Sequence, residues 1–149
     1  MRIFDYFECE GKVKWIEKIR ECDWSAAKYL SELLTENRFD EMLGKNGKLF
    51  ILADNENVVS FATLTKKDCI DDDSLYPWIG FVFTSPDHRG HRYSERVIDA
   101  ACHAAKEQGF DTVYLATDHV GFYEKYGFEH IKDAPDIHGE VSRVYRKEL

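Results

Sequence analysis

Long apolar runs, paired cysteines and any excess of positive charge are missing from this chain. No stretch of about 18 apolar residues is present to span a membrane, and Asp5, Glu8 and Glu10 interrupt any apolar segment of a signal peptide. Cys9, Cys22, Cys69 and Cys102 are widely spaced, with no Cys-x-x-Cys pair. That disfavours a metal site and suits reduced thiols, so the expected compartment is the cytoplasm. The 20 Lys and Arg face 28 Asp and Glu, a formal net charge of -8. Non-specific nucleic-acid binding draws on basic surface, so neither nucleic acid nor membrane is an expected partner. The same acidity suits a cationic partner such as an amine. Repeats, low-complexity tracts and linkers are also lacking. What remains is 149 residues with 44% hydrophobic and 14% aromatic content. That length predicts one domain over residues 1–149, able to bury ~70% of its unfolded surface.

The apolar spacing predicts alternating helices and strands. Lys12 to Glu21 reads as a short helix with Trp15, Ile16 and Ile19 on one side. Asp23 is placed to cap a second helix with the stripe Trp24, Ala27, Leu30, Leu33 and Leu34. Leu49–Asp54 and Val58–Thr65 read as strands around the turn Asp54-Asn55-Glu56-Asn57. The polar stretch Lys66 to Ser74 reads as a solvated loop. Its acidic run Asp68, Asp71, Asp72 and Asp73 fails a calcium-loop template, since no Gly stands sixth from Asp68 and Pro77 replaces a carboxylate ligand. It suits steering of a cationic substrate instead. Trp78–Thr84 is a nearly continuous apolar run, hence a central strand. Thr112–Thr117 is a further strand, followed by a short helix around Val120 to Tyr126 that Gly127 ends. Glu129–Lys132 and Glu140–Lys147 complete the pattern as strands.

The most informative segment runs from Phe81 to Ser94. An apolar strand meets Pro86, passes through Asp87-His88-Arg89-Gly90-His91-Arg92, and enters a helix. Val97, Ile98, Ala101, Cys102 and Ala105 give that helix its apolar face, and Gly109 ends it. A loop at a helix N-terminus is an anion site, because free N–H groups and the helix dipole both point at it. Arg89 and Arg92 add cations there, with His88 and His91 beside them. A basic knot in an acidic chain predicts a phosphate-bearing ligand.

This segment resembles the acyl-CoA-binding motif of the GNAT family of N-acetyltransferases: Arg or Gln, two residues, Gly, one residue, then Gly or Ala. Arg89 matches the first position and Ser94 is a small residue at the last, while Arg92 departs at the central Gly. Phe122-Tyr123-Glu124-Lys125-Tyr126-Gly127-Phe128 is similar to the family's Tyr-x-x-x-Gly-Phe segment. One helix and one strand separate the two, in the family's order. The resemblance covers Trp78 to the C-terminus and extends to the Leu49–Thr65 hairpin. It implies an α+β fold, a three-layer α-β-α sandwich around a mostly antiparallel sheet with a splayed central strand. It implies an acetyltransferase that uses acetyl-CoA as co-substrate, with no metal, and acts on a small-molecule or peptide amine as a monomer or homodimer.

By the same resemblance, Val82, Phe83 and Thr84 would bind the pantetheine arm with free backbone groups. Arg89, Gly90, His91, Arg92, Tyr93, Ser94 and Glu95 would hold the pyrophosphate. Arg at the central Gly position cannot take positive φ cheaply, so the loop must use negative φ there or hold strain. Tyr123, four residues before Gly127, is selected over Tyr126 as the catalytic acid. Asp118, His119 and His138 are candidates to bind the acceptor or take its proton. The amine would attack the thioester directly, without a covalent enzyme intermediate. A GNAT-like module that binds acyl-CoA without turning it over is the alternative, suggested by Arg92 and opposed by the retained Tyr123.

Overall fold

The computed structural model describes residues 1–149. Seven strands form one sheet in the order β1-β2-β3-β4-β5-β7-β6. They are β1 (Arg2–Asp5), β2 (Lys48–Asp54), β3 (Asn57–Thr65), β4 (Trp78–Thr84), β5 (Thr112–Thr117), β6 (Glu129–Pro135) and β7 (Val141–Glu148). Helices α1 (Lys12–Arg20), α2 (Ser25–Thr35) and the short α3 (Phe39–Leu43) precede β2, and α4 (Tyr93–Glu107) joins β4 to β5. All neighbours pair antiparallel except β4 and β5, which run parallel and meet only at Trp78↔Tyr114. Above that pair the two strands part, so the expected mixed fold with a splayed central strand is what the chain adopts.

The strand periodicity sorts two cores. Leu52, Ala62, Leu64 and Ile79 face α4, against Val97, Ile98, Ala101 and Ala105, all four fully buried. Ile51, Phe61 and Phe83 face the other way, against Trp15, Ile19, Leu30 and Leu33 of α1 and α2. Each fully buried Val, Leu or Ile contributes roughly 1.5–3 kcal/mol, so these two faces fix the layer order. Helix α4 ends as its sequence predicts. Gly109 turns left-handed at φ 92°, and the N–H groups of Gly109 and Phe110 bond Lys106 O and Ala105 O, each at 3.0 Å.

Several local expectations need correction. Asp23 does not cap α2: Trp24 takes that position in extended conformation with no side-chain cap, and its carbonyl receives the Ala27 and Lys28 N–H groups. The helix expected over Val120–Tyr126 shrinks to a 3-10 turn at Tyr123–Tyr126, because Gly121 is left-handed at φ 84° and breaks the helical path. β1 and α3 are too short, at 4 and 5 residues, for a period to be read. The Lys66–Ser74 stretch is not a freely solvated loop. Ile70 is buried and bridges Asp136, and Ile137 N donates to Cys69 O at 2.8 Å. The loop thereby crosses the sheet below the splay and packs with Trp78, Tyr114 and Val144.

Candidate active site

The site grows from an irregularity in β4. Phe61 pairs with Phe83 and Thr63 with Gly80, so Phe81 and Val82 together oppose Ala62. Phe81 carries the bulge at φ 49°. A left-handed phenylalanine is strained by roughly 1–2 kcal/mol, and such strain persists where the surroundings impose it. Tyr29 stacks on its ring at 6.4 Å, and Phe83 stacks on both Trp24 and Phe61. From Ile79 onward the β4 edge that faces β5 has no strand partner, because their pairing ends at Trp78. Apart from Thr84 O, which Arg89 occupies, backbone N–H and C=O groups on that edge have no strand partner and can pair with an extended ligand arm.

A cavity of about 660 Å³ opens against this edge. β4 contributes Val82, Phe83 and Thr84, and the loop into α4 contributes His88, Arg89, Gly90 and Arg92. Tyr93 and Ser94 come from the first turn of α4. His119, Phe122, Tyr123, Lys125 and Tyr126 close the β5 side, and Asp23 with Trp24 close the helical side.

Arg92 resolves its own mismatch. It sits at φ 57° and ψ 31°, the left-handed conformation that Gly would take freely, so the loop holds the strain. Its guanidinium is not idle. Nε and Nη2 donate to the two Glu95 carboxylate oxygens at 3.0 and 2.9 Å, and the group lies 5.1 Å over the Tyr126 ring. Hydrogen bonding from Arg92 holds the Glu95 carboxyl below its usual range. Arg89 donates from Nε to Thr84 O at 3.1 Å, which ties the loop to the end of β4. His88 Nδ1 is buried without a partner.

The three tyrosines near the β5 side divide by their hydroxyls. Tyr126 Oη lies 3.0 Å from Ser94 Oγ and locks the turn onto the start of α4. Tyr145 accepts from Arg143 Nε at 2.9 Å and lies within donating distance of Glu124 and of His119 O. Tyr123 is 6% exposed, lines the cavity, and its hydroxyl has no partner in the chain. Burial, with Tyr126 nearby, raises its pKa well above that of an ordinary phenol. The hydroxyl therefore stays protonated and able to donate.

Of the expected site residues, the fold gathers Val82, Phe83, Thr84, Arg89, Gly90, Arg92, Tyr93, Ser94, His119 and Tyr123 around one cavity. His91 is exposed with its ring 5.3 Å from Tyr93, and Glu95 is engaged by Arg92. Asp118 is exposed outside the lining. His138 lies apart in the β6–β7 turn, where its N–H bonds Asp136 at 2.8 Å, so the fold does not bring it to the cavity. Asp23, Trp24, Phe122 and Lys125 were not anticipated. Only the break between two helices at Asp23-Trp24 could have flagged the first pair. No group of three or more His, Cys, Asp or Glu could hold a metal ion, and no helix is long and apolar enough to cross a membrane.

The acetyltransferase (GNAT) family model matches residues 14–128. No curated protein sequence matches the chain. Among solved structures, the chain is similar to an aminoglycoside 6'-N-acetyltransferase from Enterococcus faecium, at 14% identity and a TM-score of 0.69, covering 99% of this chain and 97% of that one. An aminoglycoside 6'-N-acetyltransferase complexed with coenzyme A matches at 14% identity and 0.70, again over 99% and 97%. A Bacillus anthracis acetyltransferase in complex with acetyl coenzyme A matches at 21% identity and 0.59, over 74% of this chain and 68% of that one. At these identities the likeness is one of fold.

Proposed function

The chain belongs to the acetyltransferase (GNAT) family, and on that premise we propose that it transfers an acetyl group from acetyl-CoA to an amine acceptor by direct attack. The observation that carries the reading is the unpaired edge of β4 above Trp78↔Tyr114, opening onto a cavity that Tyr123 and the N-terminus of α4 both reach. The residues present suit acetyl-CoA. An extended amide-bearing arm can pair with the free β4 edge, and a pyrophosphate suits the Arg89–Ser94 loop with the first N–H groups of α4. The complexes of structural neighbours with coenzyme A and acetyl coenzyme A favour the same ligand.

Acetyl-CoA supplies an activated acetyl thioester. The chain's part is to position it, to polarise its carbonyl and to move protons. A backbone N–H at the β4 bulge stabilises the carbonyl oxygen as negative charge develops. The Tyr123 hydroxyl donates to the departing sulfur. An ordinary phenol near pKa 10 facing a thiol near 8.5 is already uphill by about 2 kcal/mol, and burial raises the Tyr123 value further. Tyr123 thus acts by hydrogen bonding as much as by transfer. Arg92, the feature that suggested a non-catalytic module, keeps a left-handed backbone that Gly would take freely, which weakens that alternative.

The test is CoA release from acetyl-CoA across a panel of primary amines, N-terminal peptides and lysine peptides. Turnover with an amine supports the reading and defines the acceptor class. Tight acetyl-CoA binding without release to any acceptor would identify a binding module instead.

A further inference from the structure

Building on the amine-acetyltransferase reading, we propose that Asp68 is the catalytic base: its carboxylate receives the ammonium group of a primary alkylamine acceptor and takes the proton that must leave before attack. Asp68 hangs from the β3–β4 loop. β4 has no side chain at Gly80, and a Cβ there would stand 2.8 Å from Asp68 Cγ and closer still to Oδ1. The carboxyl therefore occupies the space that a β4 side chain would fill. Gly80 pairs with Thr63, and Thr63 lies two residues from Phe61, the partner of Phe83. Positions two apart share a face, so Asp68 lies on the Phe83 side of the sheet, about 7 Å along the strands from that cavity-lining ring. The Thr63 hydroxyl on this face is buried with no partner.

The placement is rigid. Lys67 N donates to Leu43 O at 3.0 Å on one side of Asp68, and Cys69 O receives Ile137 N at 2.8 Å on the other. The residue is half-buried, and no Lys, Arg or His forms an ion pair with it. The titratable group beside it is the Cys69 thiol on its own loop, and beyond Cys69 stand Asp136 on the β6–β7 hairpin and, across the same small cluster, Tyr114 on β5. The facing stretch of β4, Trp78 to Gly80, has none. Burial pushes the Cys69 thiol up to about 12, with Asp68 beside it, so it stays neutral. Asp136 Oδ1 already accepts the His138 and Glu140 N–H groups. Asp68 is thus a carboxylate without a countercharge, beside the bulge where the thioester would lie. A cationic amine supplies that charge. Burial also raises the Asp68 pKa, which brings it nearer to that of a useful proton acceptor.

The proton count closes. The ammonium gives one proton to Asp68, which passes it to solvent. The neutral nitrogen forms the N–C bond as the C–S bond breaks with its electron pair on sulfur. The second nitrogen proton leaves the new amide and ends on that sulfur through the Tyr123 hydroxyl.

The test compares the full-length parent chain with Asp68→Asn and Gly80→Ala, using acetyl-CoA and a primary alkylamine that the parent turns over. Asp68→Asn should lower kcat by ~10²–10³-fold, leave the acetyl-CoA Kd unchanged in calorimetry, and remove the rising acid limb of the kcat/KM–pH profile. An alkoxyamine, already neutral at the assay pH, should recover most of the lost rate. Gly80→Ala should shift the carboxyl and slow the same step by a smaller factor. Melting separates this role from a structural one. Because the native pKa lies above the unfolded value, the stabilisation exists at low pH and is lost as pH rises through the native pKa. Asn carries no charge, so Tm near neutral pH should hold or rise as activity falls. An unchanged kcat and pH profile in Asp68→Asn, or an equal loss with the alkoxyamine, overturns the assignment of Asp68 alone. Absence of turnover by the parent with every amine overturns the amine reading and this assignment together.

Discussion

Tyr123 and Tyr126 show how far a single hydroxyl can separate two residues of one turn. Both rings are buried, yet only Tyr126 has a hydroxyl partner, Ser94. Tyr123→Phe keeps the ring and should leave the acetyl-CoA Kd unchanged while lowering kcat by ~10²-fold, since its bond strengthens only as sulfur charge develops. Tyr126→Phe should instead lower Tm, by the loss of a bond contributing about 1 kcal/mol, with little effect on kcat. Equal kcat in both variants and the parent removes Tyr123 from the mechanism. The raised Tyr123 pKa adds a pH expectation: the phenol stays protonated past the usual phenol range, so its ionisation should produce no falling limb there. Arg92 supplies a stability test at the same scale. Gly relieves the left-handed strain but forfeits the exposed pair with Glu95 and the contact over Tyr126 and frees the unfolded chain, so these terms offset and Arg92→Gly should melt close to the parent temperature. A clear drop in Tm would assign the Arg92–Glu95 contact a larger structural role than its exposure suggests.

The element of most consequence is the loop from β4 into α4. Glu95 lies in the first turn of α4, and its carboxylate occupies Arg92, the cation nearest the helix N-terminus. If CoA phosphate binds there, it competes with Glu95 for Arg92. Glu95→Gln should therefore tighten CoA binding several-fold, whereas Arg89→Ala should weaken it about 5- to 30-fold. Calorimetry in which neither variant changes the CoA Kd would move the pyrophosphate away from this loop. At this scale the sequence was legible where one element's own pattern suffices. The Val97-to-Ala105 stripe and Gly109 delimit α4, and the apolar run Trp78–Thr84 is β4. It was not legible where a partner distant in the chain decides. The fate of Lys66–Ser74 depends on contacts with Asp136 and Ile137, some 65 residues away, so a polar run read as solvated is an anchored crossing. Asp68 depends on the missing side chain of Gly80, which no local pattern joins to it. The bulge at Phe81 is likewise set by pairing with Ala62, since phenylalanine gives no hint of positive φ.

At the scale of the whole molecule, charge is unevenly spent: the chain is net -8, yet Arg89, Arg92 and Lys125 meet at the cavity. On the proposed reading, acetyl-CoA, itself anionic, would approach a molecule of its own sign, guided by this local basic cluster. On the same reading, an alkylammonium acceptor would meet the opposite field, attracted by the acidic surface as a whole and by Asp23 at the cavity. The two substrates should then respond differently to salt. The Debye length falls from roughly 30 Å at 0.01 M to about 10 Å at 0.1 M, so long-range attraction fades first. KM for a cationic amine should rise across that interval, because its steering comes from many distant carboxylates. Net repulsion and local attraction act in opposite directions on acetyl-CoA, so its KM should change less. A neutral acceptor such as an alkoxyamine serves as the control and should show almost no dependence. Initial rates at fixed pH, with acceptor varied at saturating acetyl-CoA across a KCl series, separate these terms. If the amine KM is indifferent to salt, or the neutral acceptor follows it, then whole-molecule charge plays no part in acceptor capture, and selectivity for amines must arise entirely from contacts within the site.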